Sequence, residues 1–140
     1  MKYWDASALV PLVIAGPGTK RLRAWLDRDP VIVTWAWTRV ELVGAVERRA
    51  RDGSLTRQQR RDALDRFEAL ADAWDEVTDV LAVRARAIPI LARHALRAAD
   101  AAQLGAALLV AEPVWAGIDF VCLDERLAAA AEREGLRPLS

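Results

Sequence analysis

Short runs of β-branched and aromatic residues alternate along this chain with longer stretches whose apolar positions recur at helical spacing. The short runs predict strands over residues 2–5, 31–35 and 120–123, a weak strand over 76–78, and an edge strand over 137–139. Helices are predicted over 9–14, 20–28, 36–51, 57–74, 81–94, 98–110 and 126–134. In residues 57–74 the apolar Leu64, Phe67, Leu70, Ala71 and Trp74 are spaced by threes and fours, which makes an amphipathic helix with a charged outer face. Gly16-Pro17-Gly18 ends the first helix, Gly53 offers a left-handed stop after the third, Asp79 can cap the fifth, and Pro89 is expected to kink or split that helix. Strands alternating with helices indicate a parallel sheet flanked by helices. With no linker, repeat or low-complexity stretch, residues 1–140 read as one domain.

Composition narrows the chemistry. At 140 residues and 54% hydrophobic, the chain can bury a substantial core. Twenty basic and 20 acidic residues cancel, so nucleic acid would have to be held through a local patch and not through bulk charge. No apolar run reaches the ~18 residues of a membrane helix, and Asp5 stands where a secretory signal would be building its apolar stretch. The expectation is a soluble, cytoplasmic protein with no membrane partner. One cysteine, Cys122, excludes an internal disulfide or a multi-cysteine zinc cage, and one histidine, His94, removes the usual general base. Cys122 is expected to be a core thiol in a strand and His94 a surface or helix-end residue. Chemistry must then rest mainly on carboxylates.

Four acids resist a purely structural account. Asp5 follows the first apolar run and precedes Ala6-Ser7-Ala8-Leu9, at the carboxyl end of a strand where open α/β sheets bind ligands, although a capping role for Asp5 or Ser7 also accounts for it. Asp124 repeats that placement after Phe120-Val121-Cys122-Leu123. Glu41 is the only acid between Asp29 and Glu47, in a helix that is apolar nearly all round; such a carboxylate must be neutral, bound to a metal, or paired, with Arg39 and Arg48 in reach. From Ala98 to Ala111 the only polar side chains are Asp100 and Gln103, and Asp100 either favours its helix's positive end or faces an ion. Clustered carboxylates repel one another, so such a set is tolerable mainly around a cation, and all-oxygen ligation favours Mg²⁺ or Mn²⁺. Those ions support phosphodiester hydrolysis without a histidine base.

Four segments, in order and spanning essentially the whole chain, resemble a PIN-domain ribonuclease of the VapC toxin type, one half of a type II toxin–antitoxin pair. They are Tyr3-Trp4-Asp5-Ala6-Ser7-Ala8-Leu9-Val10, Arg39-Val40-Glu41-Leu42, the run from Leu96 to Leu104 around Asp100, and Val121-Cys122-Leu123-Asp124-Glu125-Arg126-Leu127. The resemblance implies a three-layer α/β/α sandwich with a mostly parallel central sheet of four to five strands. It also implies an Mg²⁺- or Mn²⁺-dependent endoribonuclease that hydrolyses RNA, and a homodimer inhibited by a cognate antitoxin. Matched motif by motif, Asp5, Glu41, Asp100 and Asp124 would gather at the metal as the catalytic acids, with Asp5 and Asp100 as direct ligands and Ser7 in support. Two positions depart from the pattern: Cys122 stands where threonine or serine is usual, which would weaken a hydrogen bond orienting Asp124, and Gln103 where histidine is common.

Residues 47–66 hold seven arginines against four acids and are the candidate RNA-contacting patch, with Arg48 and Arg49 foremost, although a solvated helix face explains the same charges. Trp35 and Trp37 could line a groove near Glu41, and Trp115 is expected to be exposed. Two other functions fit parts of the pattern. A PIN-like domain could bind RNA or protein without cutting; retention of all four acids argues against it. An aspartyl phosphotransfer site of the haloacid-dehalogenase kind would use Asp5 as nucleophile, but wants a second acid where Ser7 stands.

Overall fold

The computed structural model describes residues 1–113 and 117–140, so Trp115 lies outside the described residues. The chain runs β1 (Lys2–Trp4), α1 (Ala6–Val13), α2 (Thr19–Arg28), β2 (Ile32–Trp35), α3 (Thr38–Arg51), α4 (Arg57–Ala71), β3 (Asp75–Val77), α5 (Val80–Arg93), α6 (Ala98–Ala111), β4 (Asp119–Val121), α7 (Glu125–Arg133) and β5 (Arg137–Leu139). The five strands form one wholly parallel sheet in the order β3-β2-β1-β4-β5. Because side chains alternate along a strand, Tyr3, Val33, Trp35 and Phe120 enter one core, which is completed by α5, α6 and α7. Trp4, Ile32 and Val121 enter the other, covered by α1 to α4. The result is a three-layer α/β/α sandwich.

The chain winds outward from β1 through β2 to β3, then crosses back to β4 and out to β5. The winding therefore reverses between β1 and β4, and at such a reversal the loops leaving neighbouring strands diverge and open a crevice beyond their carboxyl ends. Asp5 and Asp124 follow those two strands.

Several elements differ from expectation. The first helix begins at Ala6 and not near residue 9, because the Asp5 side chain accepts a hydrogen bond from Ser7 N at 3.0 Å and so starts the helix itself. Helix α4 stops at Ala71, since Trp74 packs edge-on against Phe67 and donates Nε1–H to Glu76, turning the chain into β3. Helix α5 runs unbroken through Pro89. It packs so tightly on α6 that a Cβ at Gly105 would meet the Val83 carbonyl oxygen at 3.0 Å. Strand β4 ends at Val121, which places buried Cys122 just past the strand. His94 is a helix end, as expected, but its side chain is only 7% exposed and not on the surface.

Candidate active site

At the crevice lies a cleft of about 1050 Å³ whose lining includes Ser7, Glu41, Asp100 and Asp124. Asp5 sits behind this lining, 4% exposed, anchored by Asp5 N donating to Val121 O at 2.9 Å. Its Oδ2 accepts from Ser7 Oγ at 2.5 Å as well as from Ser7 N. Ser7 Oγ in turn accepts from Leu123 N at 2.9 Å, so one hydroxyl ties the end of β1 to the segment that delivers Asp124. The Asp124 carboxyl accepts from Leu127 N at 2.9 Å through Oδ1, capping α7.

Glu41 is reached from below by a buried polar chain. Gln103 Nε2 donates to Glu41 Oε1 at 3.1 Å and to Thr38 Oγ1 at 2.9 Å, while Gln103 Oε1 accepts from Tyr3 Oη at 2.7 Å. Thr38 Oγ1 lies 2.8 Å from Thr34 Oγ1, and Thr34 donates to Trp4 O at 2.7 Å. Gln103, Thr34 and Thr38 are each fully buried. Sequence reading flagged Gln103 only as a departure from pattern; its isolation among alanines and leucines was the available signal for this role. Neither expected arginine pairs with Glu41. Arg39 bonds Glu76 and donates to Ala71 O at 3.0 Å, and Arg48 lines the cleft without an ion pair to it.

The acids perturb one another. Burial raises the Asp5 pKa, and the Asp100 charge adds to that rise against the lowering effect of the Ser7 bonds. Burial pushes Glu41 up to about 7, with the Asp5 and Asp100 charges adding to it and the Gln103 bond opposing it. Asp100 is raised by burial and then by the Asp124 charge. Asp5, Glu41 and Asp100 thus gain by taking up protons or a cation, with the Asp124 charge as a further electrostatic neighbour. Among the described residues no three histidine, cysteine or acidic side chains stand close enough to enclose an ion together. Three of the carboxyls are drawn to separate hydrogen-bond donors: Ser7, Gln103 and the start of α7.

Cys122 does not act on the Asp124 carboxyl. Its thiol lies 3.4 Å from the Asp124 backbone oxygen and 3.7 Å from Asp5 Oδ2, and burial pushes it up to about 12, so it stays a neutral thiol.

The arginine-rich stretch is dispersed by the fold. Arg48 faces the cleft, but Arg49 lines a separate recess with Ile14, Ser54 and Arg66; Arg60 pairs with Glu47 at 2.6 Å, and Arg66 donates to Val13 O. The cleft's further cations are Arg97 and Arg126, which sequence reading missed although each lies within three residues of a candidate acid. Trp35 is in the core and Trp37 is 61% exposed, and neither lines the cleft.

Residues 2–133 match the PIN domain family. The chain is 31% identical over 135 residues to Ribonuclease VapC45 of Mycobacterium tuberculosis strain CDC 1551 / Oshkosh, and equally to Ribonuclease VapC49 of strain ATCC 25618 / H37Rv. Each alignment covers 96% of this chain and 92% of the relative.

Proposed function

The chain belongs to the PIN-domain family, and from that premise we propose that it is a single-domain, divalent-metal-dependent endoribonuclease, the toxin of a cytoplasmic toxin–antitoxin pair. One observation carries the reading: Glu41, Asp100 and Asp124 line one cleft with buried Asp5 behind it, at the edge of a parallel sheet where ligands bind. The donor set fits a hard divalent cation, being carboxylate and hydroxyl oxygens whose mutual repulsion an ion would relieve. Asp5 and Asp100 would be the direct ligands of Mg²⁺ or Mn²⁺, with Glu41 and Asp124 completing the acidic set. Such an ion polarises the scissile phosphoryl group and lowers the pKa of water.

The chain's own residues do the rest. Ser7 fixes Asp5, and Gln103 aims Glu41, whose carboxyl burial pushes up to about 7 in the metal-free chain. Arg48, with Arg49 nearby in sequence but on a different recess, is the proposed RNA contact from α3. The name VapC on the relatives points to an antitoxin partner. That protein would cover the cleft, an arginine from it satisfying the carboxylates in place of metal. Among the described residues no helix is long and apolar enough to cross a membrane.

Purified protein is expected to cleave RNA with Mg²⁺ or Mn²⁺ and to stop on adding EDTA, as read on denaturing gels. Undiminished cleavage in EDTA would refute the metal role, and RNA binding without cleavage in either ion would favour the non-cleaving reading.

A homodimer is part of the same proposal. Val80, Leu81, Ile88 and Leu91 form one exposed apolar stripe on α5, the kind of surface that a second copy would cover. Sedimentation is expected to give twice the chain mass for the native protein and the single mass for the Leu81→Asp/Ile88→Asp variant; equal masses would exclude this face.

A further inference from the structure

A second recess, of about 390 Å³, opens beside the acidic cleft and shares Ala95, Leu96 and Arg126 with it. Its polar lining is three arginines, Arg93, Arg126 and Arg133, together with His94. The cause lies in the sequence of α7, where Arg126, Ala129, Ala130 and Arg133 follow the helical repeat of i, i+3, i+4 and i+7. The two alanines leave a shallow floor, and the two arginines flank it, their Cα atoms about 10 Å apart along the helix axis and their long side chains free to lean toward each other.

Charge in the recess is only partly matched. Glu134 accepts from Arg93 Nε at 2.8 Å and lies 2.7 Å from His94 Nε2, contacts that hold its carboxyl below the usual range. Arg126 and Arg133 have no ion pair among the described residues. His94 is 7% exposed, and its Nδ1 is buried with no partner among the described residues. Buried polar atoms are ordinarily satisfied by protein, water or ligand.

We propose that the recess between α7 and the end of α5 is a phosphate subsite for the RNA strand, Arg126 and Arg133 holding a backbone phosphate next to the one in the acidic cleft. This rests on the ribonuclease reading above. The two cavities share Ala95, Leu96 and Arg126 in their lining, and a strand whose scissile phosphate lies among the acids meets unpaired guanidinium groups on leaving them. Arginine suits the task because its planar fork gives two parallel bonds to a phosphate. The arrangement also fits a nearly neutral chain, which needs cations at the site and not over the whole surface.

The test uses the full chain and a fluorescein-labelled single-stranded RNA dodecamer in EDTA, with affinity read by anisotropy at several salt concentrations. Arg133→Ala is expected to weaken binding about 5- to 10-fold and to reduce the salt slope by about 0.7, as for one lost phosphate contact on a single strand. Arg23→Ala, which removes an exposed α2 arginine outside both cavities, controls for bulk charge and is expected to change neither, while Arg133→Lys recovers part of the affinity. If Arg133→Ala and Arg23→Ala behave alike on RNA that the native protein binds and cleaves with Mn²⁺, the subsite is wrong and the ribonuclease reading stands. If the native protein neither binds nor cleaves RNA, both fall. Loss of binding to a poly-glutamate peptide with RNA affinity intact would make the recess a protein-docking surface and overturn the proposal.

Discussion

Asp5→Asn is expected to lower RNA cleavage by more than about 100-fold, beyond what losing an outer-shell partner of a metal ligand costs, while leaving the metal-free fold at least as stable. The two effects share a cause. Asp5 is buried against Ser7 and raised by desolvation and by the Asp100 charge, so its ionised form is held at a cost that the Ser7 bonds offset in part and a cation would offset further. Asparagine keeps an acceptor for Ser7 and carries no charge. Glu41→Gln separates stability from activity further, through pH. Below about pH 4.5 the Glu41 carboxyl is protonated in both folded and unfolded chains, and the substitution changes little. Above about 7 it is ionised in both, but the folded chain carries that charge half-buried among other acids. Native stability is therefore lost as pH rises through this window, and the glutamine variant escapes the loss. The full displacement would be worth about 3 kcal/mol; partial solvent exposure reduces the expected gain at pH 8 to about 1–2 kcal/mol. Denaturant melts in EDTA at pH 5 and pH 8, alongside gel assays of cleavage with Mn²⁺, measure both. A glutamine variant no more stable than native at pH 8 would show that neither burial nor the neighbouring acids burden the Glu41 charge.

Gln103→Leu is expected to destabilise the fold by about 2–4 kcal/mol despite nearly equal side-chain volume, lowering Tm by roughly 8–15 °C. Leucine would strand the buried Tyr3 hydroxyl without its acceptor, and burial already drives the Tyr3 pKa well above its ordinary value, so ionisation offers no relief. Thr38 would keep Thr34 alone, and Glu41 would lose its one side-chain donor among the described residues. Each buried polar group left unmatched costs about 1–3 kcal/mol. A loss below 1 kcal/mol by calorimetry would mean that the network orients Glu41 without supporting the sheet.

Much of this protein is decided locally and so is legible in its sequence. Strands and helices alternate because β-branched and aromatic runs alternate with amphipathic ones, and that alternation yields a parallel sheet under two helical layers. The four candidate acids stood out because an acid at a strand end, or alone in an apolar helix, has few partners within its own segment. Even the unexpected start of α1 is a local effect, Asp5 capping its own helix.

Tertiary structure decided which side chains meet across the layers. Arg48 and Arg49 are adjacent in the chain, yet successive residues on a helix point about 100° apart, so one faces the acidic cleft and the other a separate recess. Gln103 lies 62 residues from Glu41 and 100 from Tyr3, and only the packing of α6 on β1 and β2 brings its amide to both. Arg126 and Arg97 come from different elements and converge because the winding of the sheet reverses between β1 and β4. Local pattern sets what each segment becomes; long-range contacts, which depend on strand order and helix packing angle, set what each charged group faces.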